Sequence, residues 1–306
     1  MDFGRLADHE FPLVDFTLPP DSGLTTKILK AEEKPDKPDL YIGCAKWGRK
    51  EWVGMIYPPK TKEADFLTQY VKHFNSIELN ALFYGMPKKE QLSVWRERAE
   101  AYRTDFKFFP KFSQSISHLK RLKNAEELTT QYLAGISALG NTLGPAFLQL
   151  SDNFGPKNFD ILKNYLEELP NDYDVFVELR HKDWFSDISA RNELFEMMHS
   201  IGKGSIITDA SGRRDCLHME LTSSAAFIRF VGNGLHPTDF SRIDAWAERL
   251  ADWKDQGLKK IYFFLHQHDE KDTPVLADYT IRKFNEKLET NIPRPVFIKS
   301  NTGLFS

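Results

Sequence analysis

Eight short apolar runs of β type follow residue 39, and their spacing leaves few architectures open. They are LYIGC from Leu40, SIELN from Ser76, FKFFP from Phe106, AFLQL from Ala146, VFVEL from Val175, SIITD from Ser205, AFIRF from Ala226 and IYFFL from Ile261. Between them lie stretches with the 3.6-residue apolar period of helices, such as Phe66, Leu67, Tyr70, Val71 and Phe74, or Ile243, Trp246, Leu250 and Trp253. Short apolar runs bounded by amphipathic helices are the pattern of βα units, whose parallel strands are covered on both faces. Eight of them favour closure, so an α/β, (β/α)8 TIM-barrel-like fold is predicted over an open doubly wound sheet. One unit is irregular. Only about 15 residues separate Asp209 from Ala226, and ASGRRDCLHMELTSS lacks helical periodicity, so the sixth helix is expected to be irregular or missing.

Residues 1–39 read differently. The run AEEKPDKPD from Ala31 to Asp39 alternates charge with proline and has nothing to bury, which suits a linker. Before it, Phe11, Leu13, Val14, Phe16 and Leu18 suggest an arm that docks on a neighbouring surface. The expected organisation is an N-terminal extension and linker over 1–39 and a single barrel domain over 40–306.

At 306 residues and 41% hydrophobic, the chain can bury a large core as one domain. Its formal net charge of -3 supplies no general attraction to nucleic acid or an acidic membrane. Cys44 and Cys216 are too few for a disulfide framework, and no leader pattern or membrane-length apolar stretch occurs, so a cytoplasmic protein is expected.

Function is read from where polar residues interrupt the strands. A barrel strand buries both faces, and ionisable groups are tolerated mainly where a cavity receives them. Here they gather at the carboxyl ends: Glu78 and Asn80 on the second strand, Lys111 after the third, Gln149 on the fourth and Glu178, Arg180 and His181 on the fifth. Asp209, Arg229 and His266 do the same on the sixth, seventh and eighth. Any one of these suits a structural role, Glu178 and Arg180 as a buried ion pair for instance. Seven strands doing so at one end is what a shared site requires.

Three local features add alternatives. His266, Gln267, His268 and Asp269 offer imidazole and carboxylate, and a divalent metal there would recruit Glu78, Glu178 and Asp209; no cofactor is required by the sequence. Val231-Gly232-Asn233-Gly234 follows the seventh strand, where many barrels hold phosphate on backbone N–H groups, but a plain turn fits equally. Cys44 near Lys46 suits a thiolate less well than a small buried hydrophobe.

Six blocks in order, IGCAKWGRKEWVGMIYPP, FNSIELNALFYGMP with WRERA, FKFFPKFSQSISHLKRL, LGPAFLQLSDNF, VFVELRHKDWF and FIRFVGNG, resemble the YecE-like domain-of-unknown-function family, number seventy-two. The resemblance spans roughly residues 40–270. It implies a TIM-barrel-like fold and no assigned activity. The family's recurrent positions fall on Trp47, Trp52, Tyr57, Glu78, Asn80, Phe83, Tyr84, Lys111, His118, Gln149, Glu178, Arg180, His181, Trp184, Asp209 and Arg229. Cys44-Ala45-Lys46 and Phe264-Leu265-His266-Gln267-His268 depart from the family's usual runs there.

Together these features predict an enzyme of hydrolase, lyase or isomerase class that acts on a small polar, anionic substrate bearing phosphate or carboxylate. Glu78 or Glu178 is the expected acid or base, with Arg180 and Asp209 completing the catalytic set. Trp47, Asn80, Tyr84, Lys111, His118, Gln149, His181, Trp184, Arg229 and His266 are expected to bind substrate. Two alternatives stay open: a non-catalytic module binding single-stranded nucleic acid or a partner protein, for which Lys120, Arg121 and Lys123 are the basic run, and a divalent-metal sugar isomerase or hydrolase.

Overall fold

The computed structural model describes residues 4–298. Eight parallel strands form a nearly closed barrel: β1 (Asp39–Cys44), β2 (Ser76–Leu79), β3 (Lys107–Pro110), β4 (Ala146–Gln149), β5 (Val175–Glu178), β6 (Gly204–Ala210), β7 (Ala225–Gly232) and β8 (Lys260–Gln267). Every apolar run of the sequence became a strand. β1 pairs with both β2 and β8, which joins the ends of the chain order into a ring. The remaining seam, between β3 and β4, is held by the isolated bridges Phe108↔Leu143 and Lys111↔Phe147.

Helices cover the outside wherever the 3.6-residue stripe was present. Phe66, Leu67, Tyr70, Val71 and Phe74 are all buried, as are Trp246 and Trp253 on the long helix Pro237–Gln256. Between β6 and β7 there is only the 3-10 turn Arg214–Cys216, so the sixth helix is missing as expected.

Part of the vacant place is taken from the N-terminus. Residues 23–30, which no sequence pattern marked, form a helix capped by Ser22, and Thr25 clips it to the segment after β6: its hydroxyl donates to the Met219 carbonyl (2.7 Å) and accepts from Leu221 N–H (2.7 Å). Ahead of that helix Phe11 stacks on His236 at 3.8 Å, and Asp21 pairs with Arg249 at 2.6 Å. Phe11 and Leu18 are buried, Val14 and Phe16 half-buried, while Leu13 stands 82% exposed.

Period-two alternation sets the barrel interior. Phe109, Phe147, Phe176, Ile206, Phe227, Tyr262 and Phe264 point inward and make a packed plug. Branched aliphatics are the usual filling of such barrels; here rings do that work, and glycines give them room. A Cβ on Gly204 would lie 2.2 Å from the Phe176 ring. On Gly43 it would lie 2.2 Å from the Ser76 carbonyl oxygen, a backbone atom of the paired strand. Gly43→Ala is therefore expected to cost at least about 2–3 kcal/mol by overpacking, read as a lowered urea midpoint.

No helix among the described residues is long and apolar enough to cross a membrane.

Candidate functional site

Two residues beyond six of these inward side chains, the same face of the strand turns polar. Phe109 is followed by Lys111, Phe147 by Gln149, Phe176 by Glu178, Ile206 by Thr208, Phe227 by Arg229 and Phe264 by His266, all buried. The plug thus carries a polar layer on its carboxyl-end side, where water is scarce and unpaired charge is costly.

Arg229 is the hub of that layer. Its Nε and Nη2 donate to Glu78 Oε1 (2.7 Å) and Oε2 (3.0 Å), a bidentate pair, and its Nη1 donates to Glu178 Oε2. Glu78 also meets His266 Nε2 at 2.9 Å and accepts from Asn80 Nδ2 at 3.3 Å. Glu178 Oε1 accepts from Arg180 Nε (2.7 Å) and from the Thr208 hydroxyl (3.0 Å). Lys111 Nζ donates to Gln149 Oε1 at 2.7 Å and stands 4.2 Å from the centre of the Phe83 ring. Arg180 and Arg229 match the two carboxylates in charge, His266 also stands against Glu78, and Lys111 adds a further positive charge when protonated.

The protonation states follow from this arrangement. Burial opposes the charge on Glu78, but Arg229 and then His266 outweigh it and hold the carboxyl well below the usual range. For Glu178, burial is outweighed by Arg180 and then Arg229, which hold it at about 2. Burial pushes Lys111 the other way, helped by Arg229 and opposed by Glu178, down to about 7. Neither carboxylate exchanges a proton near neutrality; Lys111 does.

Beside the layer a cleft of about 260 Å³ opens, with Glu78 and Asn80 at its polar end and Ala45, Trp47 and Tyr84 among its walls. Tyr57 fixes the Trp47 segment by donating its hydroxyl to the Trp47 carbonyl at 3.0 Å. Tyr84 is 77% exposed.

The structure brings together Glu78, Asn80, Lys111, Gln149, Glu178, Arg180, Arg229 and His266, with Trp47 and Tyr84 at the cleft. His118 lies at the edge, its ring 5.0 Å from that of Phe83 and its Nδ1 2.8 Å from Ser117 Oγ. Other expected members lie elsewhere. Asp209 has the opposite strand parity: its carboxylate faces the outer helices, where it accepts from Arg242 Nη2 (2.8 Å), Trp246 Nε1 (2.7 Å) and Arg214. Trp184 is buried with its indole N–H on the Phe154 carbonyl (2.7 Å), a packing role. His181 Nδ1 takes the Asp183 N–H at 3.2 Å, and its ring packs on Gly155. Thr208 went unmarked in the sequence, although its parity with Ile206 is the signal that points it inward.

Two local expectations change. The phosphate loop after β7 is already filled from within: Asn233 N–H is held by the Asp239 carboxylate (2.8 and 3.0 Å) and Gly234 N–H by Gln267 Oε1 (2.7 Å), so an anion would meet a carboxylate there. Cys44 is fully buried, and burial raises its thiol well above the ordinary value, which fits a small buried hydrophobe and not a thiolate. The metal set of Glu78, Glu178 and Asp209 is not assembled, since Asp209 faces the opposite side of β6; among the described residues no three His, Cys, Asp or Glu side chains converge as metal ligands. In the basic run, Lys120 and Lys123 are exposed, and Arg121 reaches back to the Asn153 side chain.

Residues 41–296 match the family described as Protein of unknown function DUF72. The chain belongs to that family. It is 29% identical to UPF0759 protein YecE of Escherichia coli K12 over 256 residues, 78% of this chain and 90% of that one. DUF72 family crystal structures from Thermotoga maritima and Enterococcus faecalis superpose with a TM-score of 0.63 each. They are 23% and 16% identical, cover 82% and 84% of this chain, and each is covered completely. They bear out the barrel. For this DUF72 chain, as for its relatives, the family description supplies no reaction.

Proposed function

We propose that the barrel is an enzyme that binds a small substrate bearing phosphate or carboxylate at the polar layer and moves a proton there by acid/base chemistry. The observation that carries this is the buried, titratable Lys111 in a layer whose two carboxylates are already matched by Arg180 and Arg229. Arg229 and Arg180 keep Glu78 and Glu178 ionised, so these carboxylates shape the field while Lys111 gives or takes the proton. An anion entering from the cleft balances the charge of protonated Lys111. Trp47 and Tyr84 are placed to cover the rest of the substrate. The two free, buried cysteines fit the reducing cytoplasm expected from the sequence.

Binding and protonation are then linked. The groups that face Lys111 are Glu78, Glu178, Arg180, Arg229 and His118, and a bound anion adds a negative charge that raises the lysine's pKa above its free value of about 7. Affinity for a carboxylate or phosphate is expected to be greatest below pH 7 and to fall by up to about tenfold per pH unit above it. A melting screen over organic acids, sugar phosphates and inorganic phosphate between pH 6 and 9 checks this. Lys111→Met, which leaves two cations against two carboxylates, is expected to abolish the stabilisation. If all these anions leave the melting temperature unchanged across that range, the reading fails.

A further inference from the structure

Lys111 is buried, and among the described residues its ammonium makes no ion pair: its neighbours are an amide oxygen and aromatic rings. A lysine placed only to hold charge would be expected to sit on Glu78 or Glu178, but both carboxylates are engaged by arginines. Desolvation beside fixed cations is the setting in which an amine becomes a nucleophile, because it favours the neutral form with a free lone pair.

From this geometry we infer that Lys111 is a covalent catalyst that forms an imine with a small carbonyl compound bearing an anionic group, such as an oxo acid or a phosphorylated aldehyde. The inference rests on the anion-binding reading above and names its substrate class. The neutral amine adds to the carbonyl carbon, the π pair moves to oxygen, and that oxygen takes a proton as the nitrogen loses one, giving a carbinolamine. Loss of the hydroxyl as water, with uptake of one proton, leaves the iminium. No oxidant or further reactant is needed. The positive iminium restores the charge that the neutral amine lacks, so the layer with its bound anion carries the same charge at the intermediate as it does with protonated lysine. The Phe83 ring lies 4.2 Å from the nitrogen and 5.2 Å from the ring of Tyr84, a wall of the cleft, so it stands between the amine and that wall.

Reductive trapping tests the assignment on the intact wild-type protein. Glyoxylate, glycolaldehyde phosphate and neutral glycolaldehyde are each added with sodium borohydride at pH 7, and the lysines are mapped by peptide mass spectrometry. Hydride converts the iminium to a secondary amine, so the peptide gains the mass of the carbonyl compound less one oxygen. At pH 7 about half of Lys111 is neutral, against roughly one part in a thousand or less of an ordinary surface lysine. Lys111 is expected to label at least about tenfold faster than the surface lysines with the two anionic probes, and faster still in Phe83→Ala. The faster of the two probes tells carboxylate from phosphate. Labelling no faster than at surface lysines overturns the imine, and anion stabilisation without that labelling overturns it while the anion-binding reading stands. Equal labelling of Lys111 by neutral glycolaldehyde overturns the anionic part of the assignment.

Discussion

Arg229→Met is expected to destabilise the protein by about 3–5 kcal/mol at pH 8, because it takes the bidentate partner from buried Glu78 and one of two arginines from buried Glu178. The pH dependence identifies the cause. In the wild type the folded-state pKa of Glu78 and Glu178 lies below the unfolded value of about 4.3. The stability they contribute is present above that value and lost as pH falls toward 2. Without Arg229, burial, the largest influence on Glu78, is opposed only by His266 (2.9 Å) and Asn80 (3.3 Å) and drives Glu78 upward, whereas Glu178 keeps Arg180 at 2.7 Å. The variant then loses stability as pH rises through 4.3, so the gap to wild type is smallest near pH 4 and widest at pH 8. Urea unfolding at both values measures it, and an equal gap at the two would refute the explanation.

A second large effect is expected on the other side of the wall. Asp209→Ala removes the carboxylate that satisfies Arg242 and Trp246, both fully buried, and leaves Arg242 with Asp239 at 3.5 Å as its remaining ion pair. A loss of about 3–5 kcal/mol is expected. It also loosens the N-terminal arm, since Arg214 bonds Asp209 and donates to the Phe16 and Thr17 carbonyls (both 3.2 Å). Limited proteolysis is expected to show new cleavage within residues 4–30, while anion-dependent stabilisation persists. The opposite result, unchanged stability with the anion response lost, would return Asp209 to the site.

The contrast between Asp209 and its neighbour shows what the sequence made legible. Short apolar runs located the strands, because a strand covered on both faces has to be apolar along its length. Which end carries the polar layer was also legible, since ionisable residues collect where a core can tolerate them. The direction of each side chain depends on parity, and parity needs an anchor. On β5 the alternation Phe176 then Glu178 supplied one; on β6 the run Ile206, Ile207, Thr208, Asp209 did not, and the acidic residue drew attention that belonged to the threonine. Long-range occupancy was illegible for another reason. Nothing in Gly232-Asn233-Gly234 announces that Asp239 and Gln267 already hold its N–H groups. Nor does the composition of the carboxylates show that arginines pin them, which is why the proposed acid/base role falls to Lys111 rather than to Glu78 or Glu178.

The N-terminal arm has a consequence for the order of events during synthesis. Chains emerge from the ribosome N-terminus first, and units fold as their partners become available. The arm's dock is made of Met219, Leu221, His236 and Arg249, so residues 4–30 leave the ribosome about two hundred residues before the surface they occupy exists. Through that interval Phe11, Leu18 and Leu29 have no cover from the barrel. Residues 4–30 are thus made well before the surface on which they settle, and a nascent chain stopped before residue 219 carries their apolar side chains open to chaperones.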